Sequence, residues 1–191
     1  MANTSNPFGL RPVSHRMGAC PVLRPYSIAT DYTTAIYKGD VVELTGTGKN
    51  VARAAADNPD NIGVFAGCRY LDANGRPTYS PYWPGVSDGK SQIVALVWDD
   101  PHIIFEAQID TVAEGDIGNQ VQWAYPSPAG STAYGQSYMS LSESTKGTTA
   151  GQLRLEGLVD RDDNEYGAYA KVLVTFSEHV LLGVVAGVGG V

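Results

Sequence analysis

The sequence contains few charged residues, few cysteines and no basic cluster. Charged residues make up 17% of its 191 residues, against about 25% in a typical soluble domain. The formal net charge is −7, and there is no run of five or more basic residues. Because phosphate contacts need clustered lysine or arginine, we expect no nucleic acid among the partners of this chain.

Motifs for metal binding are also missing. Neither Cys20 nor Cys68 belongs to a C-x-x-C motif, and His15, His102 and His179 are widely separated. We therefore predict no metal site and no cofactor. The two cysteines could pair, but a reduced cytoplasmic protein is as compatible with their spacing.

Neither terminus has the pattern of a signal peptide or a membrane span. The start lacks a positive n-region and an apolar h-region. The apolar residues 180–191 number 12 and are interrupted by glycines, whereas a spanning helix needs about 20 residues. We expect synthesis in the cytoplasm and no membrane partner.

Glycine and proline favour turns, and short segments with strand character recur between them. The chain has 22 glycines and 11 prolines. The segments number roughly eight to ten, and no amphipathic helix of about ten residues or more is indicated. The predicted fold class is all-β, or mainly β.

Asn61–Tyr70 is predicted to be the strand on which the core is organised. Gly63 and Gly67 mark points where another backbone comes close or the strand bends. Asn74-Gly75 is the strongest hairpin signal that follows. Gly46–Asn50 lacks the spacing of a phosphate-binding loop and predicts a hairpin turn.

Further segments with strand character follow along the chain. Ser91–Asp100 and Ile103–Asp110 are predicted to be two antiparallel strands or one bent strand. Gln152–Leu158 and Ala168–Ser177 are predicted to form a closing hairpin. Small polar residues dominate 126–151, which predicts a long polar loop with at most one short strand, Ser137–Leu141.

The chain divides into an extended N-terminal arm, 1–30, a β-rich core domain, 31–179, and a Gly-rich apolar tail, 180–191. Four prolines exclude a helix or a central strand from the arm. Its apolar residues lie on its own domain or on a neighbour, and both alternatives stay open. The last eleven residues hold no polar side chain, so we expect burial, in an assembly rather than in the domain itself.

A run of aromatic residues and prolines occupies 78–85. Such a run is not expected in a strand ladder; it predicts either a subunit contact or a loop folded over the core. The predicted contact residues come from this run, the arm and the tail: Phe8, Leu10, Val13, Tyr79, Tyr82, Trp83, Leu181, Leu182, Val184 and Val185.

Two acidic groups were considered as sites. Asp160-x-Asp162-x-Asn164 begins like a calcium-binding loop, but Glu165 replaces its glycine and Lys171 its final glutamate, so we predict a charged hairpin tip. Asp99, Asp100, Glu106 and Asp110 could supply paired carboxylates for glycoside hydrolysis. Acidic residues at strand ends are common, and we expect no enzyme.

Three motifs carry a resemblance to a known group of proteins. Pro7–Pro12, Tyr37–Gly46 and Asn61–Gly67 resemble segments of virion structural proteins of tailed bacteriophages. The middle part is similar to head-decoration, or capsid cement, proteins. These often combine a Gly-Asp-Val-Val element with an Ile-Gly-Val-x-x-Gly element.

The resemblance implies a β-barrel-like or β-tulip-like core, with a sandwich as the alternative. It also implies a non-enzymatic protein on the capsid surface, commonly a homotrimer, that binds the major capsid protein and stabilises the shell against internal DNA pressure. Alternative functions are a tail or fibre component, or a carbohydrate-binding sandwich in which Tyr79, Tyr82, Trp83 and Trp123 stack on sugars.

Overall fold

Two six-stranded antiparallel sheets form the body of the protein. The structure is a computed structural model that describes residues 3–46, 48–56, 60–86, 88–147 and 151–182. The first sheet has the order β1-β10-β16-β14-β12-β13. Its strands are β1 (Arg11–His15), β10 (Ile103–Gln108), β12 (Gln120–Ala124), β13 (Ser140–Gly147), β14 (Leu153–Leu158) and β16 (Lys171–Phe176).

The second sheet has the order β2-β9-β6-β4-β5, and a sixth strand, β7, also pairs with β6. Its strands are β2 (Leu23–Ser27), β4 (Val41–Leu44), β5 (Val51–Arg53), β6 (Asn61–Leu71), β7 (Pro77–Ser80) and β9 (Ser91–Trp98). Two short ribbons join β3 (Ile36–Tyr37) to β8 (Tyr82–Trp83) and β11 (Thr111–Val112) to β15 (Gly167–Ala168). The helical segments of the described chain are 3₁₀ turns, Glu114–Asp116 and Val180–Leu182.

The all-β prediction is confirmed, and the sandwich is the alternative that fits. Each six-stranded sheet keeps two edge strands, so neither closes into a barrel within the part of the chain described. One face of the first sheet packs against Val41 and Val64 of the second. The opposite face of the second sheet packs against the β3–β8 ribbon through Ile36 and Trp83. The second sheet therefore lies between two apolar layers.

β6 is central, as predicted, and both of its glycines are required by close neighbours. Gly63 has φ 145°, and a Cβ there would lie 2.1 Å from the Trp98 carbonyl oxygen. Gly67 has φ 142°, and a Cβ there would lie 2.6 Å from Tyr79 Oη. Any other residue would clash at both points.

The predicted turns are also present. Asp72 closes the β6–β7 hairpin around Asn74-Gly75, where its Oδ1 accepts hydrogen bonds from the amides of Asn74 and Arg76, each 2.8 Å. β14 and β16 pair as predicted. The charged tip between β14 and β15 is closed by Asn164, whose Nδ2 donates to the Val159 carbonyl oxygen at 2.8 Å.

Three expectations need correction. β9 and β10 are neither a pair nor one strand, because the chain crosses from the second sheet to the first between them. Residues 126–151 are not one loop: the eight-residue β13 pairs with β12. Only Leu141 of this edge strand is fully buried. Because the strand needs few apolar residues, its amino-acid composition resembles that of a loop. The aromatic run, finally, does form strands, β7 and β8. This is possible because its prolines lie at the strand ends: Pro77 begins β7, and Pro81 and Pro84 flank β8.

The N-terminal segment is built into the domain. β1 and β2 are edge strands of the two sheets, which is where proline is tolerated. Leu10 is 2% exposed and belongs to the core between the sheets. No helix among the described residues is long and apolar enough to cross a membrane.

Candidate functional site

Aliphatic side chains from both terminal segments lie exposed around the turn that joins β9 to β10. The amide of Arg16 donates to the His102 carbonyl oxygen at 3.0 Å, which places Met17 beside this turn. Leu23 pairs with Trp98 at the end of β9. We call these exposed residues the terminal surface: Val13, Met17, Val22, Leu23, Leu181 and Leu182.

One cavity is lined both by Arg16, which follows β1, and by Leu182, the last described residue. It measures about 360 Å³, and Arg16, His102, Arg154 and Leu182 are among its lining residues. The Arg16 guanidinium forms an ion pair with Glu156, which also accepts a hydrogen bond from Thr175 Oγ1 at 2.9 Å. The N-terminal strand is thus fixed to the first sheet beside the point where the described chain ends.

The exposure of the terminal surface follows from local backbone features. The register of β1 against β10 shifts between Pro12 and Ser14, so Val13 has no cross-strand partner and is 53% exposed. Met17 lies in the turn after β1 and is 76% exposed. The bulge in β1 and the turn after it therefore leave these two side chains exposed in one copy of the chain.

Asp99 and Asp100 hold the N-terminal strands in place. The Tyr26 hydroxyl donates to Asp99 Oδ2 at 2.7 Å, and Arg24 Nε lies 3.4 Å from Asp99 Oδ1. His15 Nε2 lies 3.1 Å from Asp100 Oδ2. Burial raises the pKa of Asp100, but hydrogen bonds from the His102 amide and His15 outweigh it, and the net effect lowers the pKa.

Glu106 has a similar anchoring role. Its side chain is buried, with Arg161 Nη2 3.1 Å from Oε1 and Arg11 Nη1 3.9 Å from Oε2. Asp110, the fourth candidate, is exposed. The acidic residues considered for hydrolysis are therefore distributed over separate contacts, and three of them bind residues of β1, β2 or the turn after β14.

The histidines and cysteines occupy different environments. His179 is buried, and burial lowers its pKa to about 4; its Nδ1 accepts a hydrogen bond from the Leu181 amide at 3.1 Å. Cys20 is exposed and Cys68 is buried, and both are free thiols. Burial raises the pKa of Cys68 to about 12. No cluster of three His, Cys, Asp or Glu residues that could hold a metal occurs in the described ranges.

The predicted contact residues fall into separate places. Phe8, Leu10 and Trp83 are buried in their own domain, so they are core residues and do not form an exposed surface. Tyr82 is half-buried and stacks on Tyr37 with ring centroids 5.6 Å apart. The remaining predicted residues are exposed, namely Val13, Tyr79, Leu181 and Leu182, or lie outside the described residues, namely Val184 and Val185.

Among the predicted sugar-stacking residues, only Tyr79 presents an exposed ring. Trp83 and Trp123 are at most 1% exposed. They fill different cores, since Trp83 packs under the ribbon and Trp123 between the sheets. A stacking role for these tryptophans is therefore incompatible with this fold.

Sequence reasoning missed part of the terminal surface and a buried carboxylate. Met17, Val22 and Leu23 are apolar residues of the predicted arm, but no sequence pattern indicates that they are exposed together. The buried carboxylate is Asp40, which accepts a hydrogen bond from the Tyr37 amide at 2.8 Å. Burial raises the pKa of Asp40 to about 6.

Comparisons with protein-family models and with curated proteins gave no match to this chain. The terminal surface and the sequence motifs are therefore the observations that bear on function.

Proposed function

We propose that this chain is a structural virion protein that binds the outside of a tailed-phage capsid as a decoration, or cement, protein. The terminal surface is the observation that carries the proposal. Aliphatic side chains such as Met17 and Leu182 stand exposed at one place, where the described chain also ends. Contiguous exposed apolar groups mark sites of association in soluble proteins.

The sequence of the tail adds to this surface. Residues 183–191 follow Leu182 directly and contain only glycine, alanine and valine. Together with the terminal surface they supply apolar area that a partner can bury. The proposed partners are the major capsid protein and further copies of this chain in a homotrimer, located at the capsid surface.

Polar contacts fix β1 and β2, the two strands that carry Val13 and Leu23 of the terminal surface, to the rest of the domain. Asp99 and Glu106 tie β1 and β2 to the body through Arg24, Arg11 and Tyr26. An edge strand held by buried charges resists being peeled away when its outer side chains are bound, because removing one partner leaves a buried charge uncompensated. We infer a non-enzymatic protein that stabilises the shell against internal DNA pressure.

Sedimentation with capsids tests the proposal. Capsids of the phage that encodes this chain, freed of the protein, are mixed with the wild type, Met17→Asp or Leu182→Asp. We expect the wild type to sediment with the shell and both variants to bind at least about tenfold more weakly, because a charge is forced into an apolar contact.

The matched control is Val86→Asp, which alters an exposed aliphatic residue near the start of β9, away from the terminal surface. This variant should bind like the wild type. Undiminished binding by both terminal-surface variants would contradict the proposed contact.

A further inference from the structure

A groove lies at the end of β6 opposite the terminal surface. On β9, Trp98 and Val94 point to the same face of the second sheet, since side chains alternate along a strand. At Trp98 this face packs against the core between the sheets. At Val94 it is uncovered and lines a cavity of about 480 Å³, which lies within the size range of ligand sites.

The floor of the groove is formed by two cross-strand rows. Tyr79 of β7 lies opposite Arg69 of β6, and Arg69 lies opposite Val94 of β9. In the next row Pro77 lies opposite Leu71. Directly opposed residues of antiparallel strands share a face, so the phenol, the guanidinium and the aliphatic groups all project into the same space.

Tyr79 forms a fixed aromatic platform within this groove. Its hydroxyl donates to the Ala66 carbonyl oxygen at 3.3 Å. The end of its ring rests on Gly67, where a Cβ would lie 2.6 Å from Oη and 3.0 Å from Cζ. The side chain is nevertheless 60% exposed. The glycine thus allows the ring to lie on the sheet while the rest of the ring remains accessible.

Two polar side chains border the platform without partners of their own. Arg69 and Gln92 form no side-chain hydrogen bond or ion pair with any residue that the structure describes. Gln92 also has φ 51°, a left-handed conformation that disfavours non-glycine residues. The backbone is strained at the residue that contributes a planar amide to the groove.

We propose that this groove binds a pyranose unit of an acidic glycan. The C–H face of a pyranose is apolar and matches the exposed ring of Tyr79. The amide of Gln92 can both donate to and accept from sugar hydroxyls. Arg69 matches a sugar carboxylate, because a guanidinium binds a carboxylate through two parallel hydrogen bonds. Its uncompensated charge is notable in a chain of net charge −7.

The position of the groove adds a functional consequence. β6 has 11 residues, so its two ends lie about 30 Å apart at about 3.3 Å per residue. The terminal surface lies near Asn61 and the groove near Leu71. A protein attached through the first would present the second away from its partner, so glycan binding does not compete with attachment.

Saturation-transfer NMR with trigalacturonate and its methyl ester tests the proposal on the full chain. The two probes have the same rings and differ in charge. We expect saturation transfer to the ring protons of trigalacturonate, and binding at least about tenfold weaker for the ester, in line with loss of a charge-assisted hydrogen bond.

Variants assign the contacts. Arg69→Gln should weaken the binding of trigalacturonate about tenfold and leave the binding of the ester unchanged. Tyr79→Ser should abolish saturation transfer to both probes. Arg76→Gln and Tyr134→Ala, which change exposed residues outside the groove, are the controls and should bind normally. Thermal unfolding of each variant verifies the fold.

Absence of binding by the wild type across an array of acidic oligosaccharides, or binding that survives Tyr79→Ser, would overturn the site. Equal binding of acid and ester would overturn the role of Arg69. None of these results involves a capsid, so they stand apart from the test of the proposed function.

Discussion

The two ends of β6 expose opposite kinds of side chain. At the Asn61 end, aliphatic residues of the terminal segments are exposed, while the polar side chains of Asp99 and His179 are buried. At the Leu71 end, the aromatic run buries Trp83 and exposes Tyr79 beside Arg69. Residue type alone therefore does not identify a contact surface. The position of an edge strand, a turn or a covering ribbon decides which apolar groups remain outside.

The largest expected effect is at Trp83, which separates core from surface at the Leu71 end. Trp83→Ala should lower the free energy of unfolding by about 3–5 kcal/mol, because it empties the layer between the ribbon and the second sheet. Chemical denaturation measures this value. Tyr134→Ala, at an exposed aromatic residue, should change it by less than about 0.5 kcal/mol. A similar loss of unfolding free energy in both variants would contradict the assignment of Trp83 to the core and Tyr134 to the surface.

At the Asn61 end of β6, we expect His179 to make the stability of the fold depend on pH. The pKa of His179 is lowered from 6.5 to about 4 in the folded protein, so the unfolded chain binds its proton first. His179 therefore stabilises the fold above pH 6.5, and this stability is lost as the pH falls towards 4. The loss amounts to up to about 3 kcal/mol.

His179→Asn keeps an acceptor for the Leu181 amide but cannot be protonated. Relative to this variant, the wild type should lose stability between neutral pH and pH 4. Because Asp40, whose pKa is raised, is present in both proteins, its opposite contribution cancels in the difference. Parallel stability curves for the two proteins would show that the His179 environment does not titrate as described.

The smallest effect on stability is expected at the terminal surface. Met17→Asp and Leu182→Asp should change the free energy of unfolding by less than about 0.5 kcal/mol, because both side chains are already in water. They should, however, lower the mass of any oligomer in which the terminal surface is buried. Light scattering at several concentrations measures this mass, with Val86→Asp as the control. Strong destabilisation by either variant would mean that the residue is not free for association.

Much of the second sheet could be predicted from the sequence, because its signals are local. The continuous apolar run Ile93–Trp98 identified β9, and Gly63, Gly67 and Asn74-Gly75 identified a central strand and its hairpin. The sequence predicts at most a short strand, Ser137–Leu141, where the eight-residue β13 begins, because β13 is a polar edge strand with only Leu141 fully buried. Its pairing with β12 depends on tertiary contacts, which the local amino-acid composition does not indicate.

The candidate sites were less predictable, since most of their contacts join residues that are distant in sequence. Arg69 and Tyr79 lie across the predicted Asn74-Gly75 hairpin, but the hairpin signal does not indicate which face of it stays uncovered. The burial of Trp83 depends on Ile36, which reaches it only through the β3–β8 ribbon. The anchoring of Asp99 by Arg24 and Tyr26 joins residues more than 70 positions apart. Local patterns cannot specify such pairs.

The most direct test of the proposed function is a cryo-EM map of tailed-phage capsids, from a phage whose genome carries this sequence, after incubation with the protein. The proposed function predicts density on the outside of the shell, with Met17, Leu23 and Leu182 against the capsid protein and the Asn74-Gly75 turn directed outward. Absence of the protein from the shell, or attachment through the Asn74-Gly75 end, would contradict it.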